Sequence, residues 1–142
     1  MALNKLSDDY QILLKTIFAE CRGEPVLGQK AVAWVIKNRA DLNCSYWGGN
    51  TIAGVCLHPG QFECWNADRR HLIEEMIRNE PGVYAKIDAW LPTVYLGLDP
   101  SGGADYYINP EIEGYPTWTT GCYRLQKIGN HQFYRGNIFL AN

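Results

Sequence analysis

The chain has 142 residues, of which 46% are hydrophobic and 20% are charged, and its formal net charge is -2. This length and composition are typical of one globular domain that is large enough to bury a core. The small negative charge excludes the basic field that binds polyanions, so no nucleic-acid partner is expected. Aromatic residues reach 13%, and their rings suit both protein cores and carbohydrate grooves.

The first helix is predicted to begin at Ser7 or Asp8, either of which can cap it, and to continue with helical apolar spacing to Cys21. Glycine and proline in residues 22–25 then end it. A second helix is predicted over about Val26 to Leu42. Its central part is apolar all round, which predicts the buried helix of the fold.

The rest of the chain is predicted to change from helices to a small sheet. A turn-rich stretch over residues 43–66 is followed by a third helix from Asp68 and a fourth over about 83–97 that Pro92 should kink. Short strands are predicted at 105–109, 124–128 and 131–134. The fold class is therefore predicted to be α+β, with residues 1–142 forming a single domain.

Two glutamates stand at the end of the first helix, in the segment AECRGEP at residues 19–25. Glu20 lies near the edge of the apolar stripe and in the last turn, where the negative end of the helix dipole disfavours a charged carboxylate. Such a position suits a general acid that cleaves a glycosidic bond. The residues alone leave open an ordinary ion pair with Lys15, Arg22 or Arg39.

Other catalytic chemistries have weaker signals. The three histidines, His58, His71 and His131, have no metal-binding spacing, so a zinc site would require all three to converge; no metal or other cofactor is expected. A second interpretation is a nucleophile pair of Cys21 and His131. Because Cys21 lies on the apolar stripe of the first helix, a buried structural thiol is favoured over this pair. The five cysteines leave open one or two disulfides or buried free thiols; they are Cys21, Cys44, Cys56, Cys64 and Cys122.

Four blocks in order carry a resemblance: AECRGEPVLGQKAVAWVIKNR, TIAGVCLHPGQFECW, GLDPSGGADYYINP and IGNHQFY. Together they resemble the spore-cortex-lytic, SleB/CwlJ-type cell-wall hydrolase family over roughly residues 10–134. The resemblance implies a lysozyme-like catalytic fold, mainly helical with a small antiparallel sheet. It also implies cleavage of the glycan strands of peptidoglycan by a lytic transglycosylase or a muramidase.

The family's catalytic glutamate is the first one of an E-[AS]-R-G-E signature, which falls on Glu20. Cys21 stands where the family has a small Ala or Ser. By the same matching, the resemblance implies a substrate-binding role for five residues: Gln61, Phe62, Tyr107, Asn109 and His131. Core packing is an equal alternative for Phe62 and Tyr107, and a structural hydrogen bond is an alternative for His131.

A transglycosylase needs one acid, whereas a hydrolase needs a second carboxylate to activate water or trap the sugar. The candidates for this second group are Glu24, Glu63, Asp99 and Asp105, and none stands out in the sequence. We therefore expect Glu24 and Arg22 to be supporting residues. Glu24 would pair with Arg22 or Arg39 or accept hydrogen bonds from nearby backbone amides. The alternative functions are an N-acetylmuramoyl-L-alanine amidase and a non-catalytic wall-binding module.

The prediction of where in the cell the protein acts rests on its N-terminal residues and on its apolar segments. Residues 1–15 lack the basic start and the apolar run of a signal peptide, and no segment reaches the roughly 20 apolar residues of a membrane span. We expect a monomer that acts on the bacterial cell wall without binding a membrane. It would be cytoplasmic before release, as a phage endolysin is, or a secreted protein that has lost its leader.

Overall fold

The computed structural model describes residues 2–136. Its helices are α1 Asp8–Cys21, α2 Val26–Leu42, α3 Ile52–Leu57, α4 Leu72–Asn79, α5 Pro81–Trp90 and α6 Pro110–Glu113. Short 3-10 helices occupy Ser45–Trp47, Glu63–Trp65, Leu91–Leu96 and Thr117–Gly121. The strands are β1 Tyr106–Ile108, β2 Tyr123–Ile128 and β3 His131–Arg135. The predicted α+β class is confirmed.

The first two helices form where the sequence predicts them. Ser7 caps α1, because its hydroxyl oxygen accepts a hydrogen bond from the Tyr10 amide at 3.2 Å. Helix α2 ends at Asn43, which takes the left-handed conformation (φ 51°) that asparagine tolerates. The middle of α2 is fully buried, so it is the central helix of the core, as predicted; the residues with no exposed surface are Ala31, Val32, Ala33, Val35 and Ile36.

The sheet is antiparallel with strand order β1-β3-β2. Strands β2 and β3 form a hairpin whose turn contains Gly129 in the left-handed region (φ 58°). The register of β2 shifts between Arg124 and Lys127. Gln132 fills this irregularity, since its buried side-chain NH2 group donates to the carbonyls of Leu125 and Gln126 at 2.8 and 3.1 Å.

The structure departs from the prediction in the middle of the chain. The turn-rich stretch contains the short helix α3, and α4 begins at Leu72 rather than at Asp68. The predicted fourth helix begins two residues early, at Pro81, and its last part is a 3-10 helix that contains Pro92. Proline has no amide hydrogen to donate within a helix, which explains the change of helix type.

Three of the cysteines are buried free thiols, which is one of the two alternatives that the sequence left open. Cys21, Cys56 and Cys64 are buried and free, and burial raises the pKa of the Cys56 thiol to about 12. Among residues 2–136, no helix combines the length and the apolar character that crossing a bilayer requires.

Candidate active site

Glu20 lies in the last turn of α1 and faces the 3-10 helix Glu63–Trp65. Its Oε1 accepts a hydrogen bond from the backbone N–H of Cys64 at 3.1 Å, and burial together with this nearby carboxylate raises the pKa of the Cys64 thiol. The 3-10 helix is fastened to α1 because the Trp65 indole N–H donates to the Thr16 hydroxyl at 2.8 Å. The carboxylate is therefore positioned by the HPGQFECW segment (residues 58–65), although it remains partly exposed.

Arg22 supports the end of α1. Its Nη1 donates to the carbonyls of Phe18 and Ala19 at 3.5 and 3.1 Å, and its Nε pairs with Glu80 at 2.8 Å. A positive charge thus sits on carbonyls that carry the negative end of the helix dipole. Glu20 is therefore not beside the bare negative pole that the sequence predicted.

Glu24 does not form an ion pair with either predicted arginine among the described residues. Its Oε1 accepts from the backbone N–H of Asn130 and its Oε2 accepts from the Asn130 side chain, both at 2.9 Å. Glu24 thereby fastens the β2–β3 turn to the end of α1. Of the two alternatives that the sequence left for Glu24, the hydrogen bond from a backbone amide describes the contact and the ion pair does not.

Gln29 is a structural residue that the sequence analysis missed. It is 5% exposed, and its side-chain NH2 group donates to the carbonyls of Arg22 and Glu24 at 3.3 and 3.1 Å. These contacts hold the turn formed by residues 22–24 (the RGE turn) against the first turn of α2. A long amide beside the apolar stretch of α2 was the signal that could have identified it.

Tyr107 and His131 lie side by side between the sheet and α1. Their ring centroids are 4.7 Å apart, and Tyr107 also contacts Phe133 at 5.8 Å. Burial, followed by the nearby charges of Cys21 and Glu20, raises the pKa of Tyr107 well above its ordinary value, so its phenol stays neutral. Burial lowers the pKa of His131 and favours its neutral imidazole.

Gln61 is oriented by the buried Arg39. The Nη1 of Arg39 donates to Oε1 of Gln61 at 2.6 Å, and its Nε donates to the Asp105 carbonyl at 2.7 Å. The Arg39 guanidinium also lies over the rings of Trp47 and Tyr106, at 5.3 and 5.4 Å from their centroids. This bond orients the side chain of Gln61, and its NH2 group remains available to donate to a hydroxyl of a sugar.

Two of the residues that are predicted to bind substrate make structural contacts. Phe62 is 4% exposed and belongs to the hydrophobic core, which is the packing alternative. Asn109 caps α6, because its side-chain oxygen accepts a hydrogen bond from the backbone N–H of Glu111 at 3.1 Å. The backbone N–H of Asn109 donates to the Glu113 carboxylate at 2.8 Å. The cap therefore fixes the orientation of the Asn109 side chain.

The acidic candidates for a second catalytic group are mostly engaged in other contacts. Asp99 organises its own loop by accepting from Ser101, Gly103 and Asn38. Asp105 is 5% exposed and accepts from the Gly136 amide at 2.7 Å. Glu24 holds Asn130, so Glu63, which is exposed next to Cys64, remains.

The three histidines lie in separate elements. His58 follows α3, His71 precedes α4 and His131 lies in β3. Residues 2–136 contain no group of three histidine, cysteine or carboxylate side chains that could hold a metal ion.

Comparison with known proteins places this geometry in a family. The family model described as Cell Wall Hydrolase matches residues 23–134, a range that contains Glu24 but not Glu20. The spore cortex-lytic enzyme of Bacillus cereus is 36% identical over 126 residues, which are 89% of this chain and 44% of that protein. The Bacillus subtilis enzyme of the same name is 36% identical over 127 residues, 89% of this chain and 37% of that protein. The chain thus spans less than half the length of these relatives.

Two solved structures share the fold. The catalytic domain of the germination-specific lytic transglycosylase SleB from Bacillus anthracis has a TM-score of 0.67 and 32% identity, and the match covers 94% of this chain and 99% of that one. The SleB catalytic domain of Bacillus cereus has a TM-score of 0.64 and 30% identity, with 94% and 95% covered. The predicted lysozyme-like fold is confirmed, and the chain belongs to the cell wall hydrolase family.

Proposed function

We propose that this chain cleaves the glycan strands of peptidoglycan as a lytic transglycosylase, with Glu20 as its general acid and base. The observation that carries the proposal is the placement of Glu20 at the end of α1, partly exposed and held by Cys64. The names of the related SleB domain and of the spore cortex-lytic enzymes support the substrate class.

The reaction needs one carboxyl group that acts twice. Protonated Glu20 gives its proton to the glycosidic oxygen, and the bond between that oxygen and the anomeric carbon of the muramoyl residue breaks. The resulting carboxylate then takes the proton of the muramoyl 6-hydroxyl while that oxygen attacks the anomeric carbon. The product is a 1,6-anhydro sugar, no water is consumed, and Glu20 ends as it began.

The surroundings of Glu20 favour transglycosylation over hydrolysis. Hydrolysis requires a second carboxylate, and Glu24, Asp99 and Asp105 are each held by backbone or side-chain donors of the fold. Glu63 is the candidate that the contacts leave open. Tyr107, as a neutral phenol near Glu20, and the NH2 group of Gln61 are proposed to bind the sugar.

Mass spectrometry of digested peptidoglycan tests the proposal. We expect fragments whose mass is lower than that of the hydrolysed fragment by one water, which marks anhydro ends. New reducing ends would instead indicate a muramidase or a glucosaminidase, and free peptides an amidase. Lysis that EDTA abolishes and zinc restores would support the amidase, whereas pull-down without soluble fragments would support a wall-binding module.

The remaining expectations are also proposals. We propose that residues 1–142 act as one catalytic domain on the cell wall, as a monomer that binds neither nucleic acid nor a membrane. Release by the route of a phage endolysin and export with a leader are distinguished by where the protein accumulates before lysis. The fractionation of producing cells is the measurement that separates them.

A further inference from the structure

A group of aromatic rings lies around Tyr106, on the face of strand β1 opposite the side chain of Tyr107. We name Tyr46, Tyr106 and Trp118 the aromatic strip. Tyr46 and Trp118 are 47% and 43% exposed, and the half-buried Tyr106 contacts Trp118 directly and is linked to Tyr46 through Trp47. The ring centroids of Tyr106 and Trp118 are 5.2 Å apart. The strip thus exposes large apolar faces that the proposed reaction does not use.

Buried rings fix the strip from below. Trp47, which is 5% exposed, meets Tyr46 and Tyr106 edge-on at 5.0 and 5.3 Å. Tyr134, which is 2% exposed, meets Trp118 at 5.8 Å. Side chains held in this way lose little conformational entropy when a ligand binds, so the surface is preorganised.

The strip is connected to the candidate active site but does not belong to it. Tyr106 and Tyr107 follow each other in the edge strand β1, so their side chains point to opposite faces of the sheet. The Tyr107 side chain is on the face near Glu20, whereas the Tyr106 side chain is on the other face, where it contacts Trp118. Arg39 joins the two regions, because it holds Gln61 and lies under Tyr106.

The chemistry of the strip fits sugar rings. A hexopyranose presents apolar C–H faces with hydroxyls at its rim, and aromatic rings bind such faces while leaving the hydroxyls in water. Beside the strip, Arg124 lies opposite Tyr134 in the sheet and donates to the hydroxyl of the exposed Tyr115 at 3.1 Å. This guanidinium can meet the carboxylates that peptidoglycan carries on its peptides.

We propose that the aromatic strip binds sugar rings of peptidoglycan away from the bond that is cleaved, and thereby holds the protein on the insoluble wall. The proposal rests on the proposed function for the identity of the polymer. It does not rest on catalysis by Glu20.

Co-sedimentation with purified insoluble peptidoglycan tests the strip, and the Glu20→Gln chain is used so that the polymer stays intact. Adding Trp118→Ala should weaken binding about tenfold, the loss expected for one well-packed aromatic contact. Trp118→Tyr should retain most of the binding because it keeps a ring. Tyr123→Ala is the matched control, since Tyr123 is 61% exposed on the same sheet but is not one of the strip residues.

Binding that Trp118→Ala leaves unchanged would overturn the proposal, as would an equal loss in Tyr123→Ala. A concentration-dependent dimer in sedimentation that Trp118→Ala removes, with unchanged wall binding, would assign the strip to a second copy of the chain and overturn it too. If Trp118→Ala lowers the melting temperature strongly, Tyr46→Ala replaces it. A wild-type chain that forms no anhydro ends would refute the proposed function without affecting these binding results.

Discussion

The two glutamates of the RGE turn differ in what holds them. Glu20 is on α1, and the groups that contact its carboxylate come from Cys64, in a separate segment of the chain. Glu24 is past the end of α1, and both of its oxygens are bound to Asn130 in the β2–β3 turn. The first glutamate is thus available for chemistry, while the second joins the helices to the sheet.

This difference shows how a short segment can serve two purposes. The helix ends at Cys21, with Arg22 as its C-cap, and Gln29 holds the carbonyls of Arg22 and Glu24. Glu24 in this turn holds the hairpin on which His131 lies, next to Tyr107. Substitution of Glu20 should therefore lower mainly the activity, and substitution of Glu24 should lower mainly the stability.

The largest effect is expected for Glu20→Gln. The amide cannot give a proton to the glycosidic oxygen, so the rate of release of soluble fragments should fall by about 10²–10⁴-fold or more. The melting temperature should change little, because an amide oxygen still accepts the Cys64 hydrogen bond. Turbidity loss of purified peptidoglycan measures the rate, and full activity in this variant would contradict the assignment.

Glu63→Gln is the matched control for that experiment. Glu63 is an exposed carboxylate next to Cys64, the residue that contacts Glu20. Glu63→Gln therefore changes the net charge by the same amount as Glu20→Gln, close to the same site. We expect activity close to that of the wild-type chain. A loss comparable to that of Glu20→Gln would identify Glu63 as the second carboxylate and would replace transglycosylation by hydrolysis.

The next largest effect is expected for Gly129→Ala. The new Cβ would lie 2.5 Å from Oε1 of Glu24 and 2.8 Å from Cδ of Pro25, at a backbone φ of 58°. The left-handed strain and the overlap together should lower the free energy of unfolding by about 2–4 kcal/mol. Gly23→Ala is the control, because its Cβ would meet nothing within 4 Å. Urea unfolding measures both, and equal stabilities would mean that the turn does not need this close contact.

A smaller effect on stability is expected for Glu24→Gln. The amide keeps one acceptor but loses the charge-assisted bonds to Asn130, which should cost about 1–2 kcal/mol at this partly exposed position. Thermal unfolding should show a lower Tm, and activity should fall less than in Glu20→Gln. An unchanged Tm together with lost activity would reverse the roles of the two glutamates.

The sequence predicted the helices better than it predicted the contacts of the site. Helices α1 and α2 have strong local signals, namely the Ser7 cap and a long apolar stretch, and their bounds were predicted well. The strands were also placed, because alternating aromatic and polar residues favour them. Helix α3 was missed, since its six residues are too few to show a period.

The contacts of Glu20 and Glu24 could not be predicted because their partners are distant in sequence. Cys64 is 44 residues from Glu20, and Asn130 is 106 residues from Glu24. No spacing rule relates such positions, so the sequence offered arginines or backbone amides as partners of Glu24 without identifying Asn130. Asn109 is the opposite case, because the residues that its cap engages, Glu111 and Glu113, are only two and four positions away. Its contact with sugar stays a prediction.

The smallest effect, a change in pH dependence, tests whether the hairpin that Glu24 holds also keeps His131 neutral. Burial lowers the pKa of His131, against the opposing charges of Glu24 and Glu113. The unfolded chain therefore binds the proton at a higher pH than the folded chain, so stability rises with pH in this range. This contribution is fully present above the ordinary pKa of 6.5 and is lost as the pH falls below it toward the folded pKa.

Urea unfolding between pH 7 and pH 5 should accordingly show a steeper loss of stability for the wild-type chain than for His131→Gln. His71→Gln removes an exposed imidazole and controls for the change in charge. Glu24→Gln should show the steepest loss, because it removes one of the charges that favour the imidazolium and so separates the folded and unfolded pKa values further. Equal slopes for His131→Gln and the wild-type chain would show that another group titrates. An unchanged slope in Glu24→Gln would separate the hairpin contact from the electrostatics of His131.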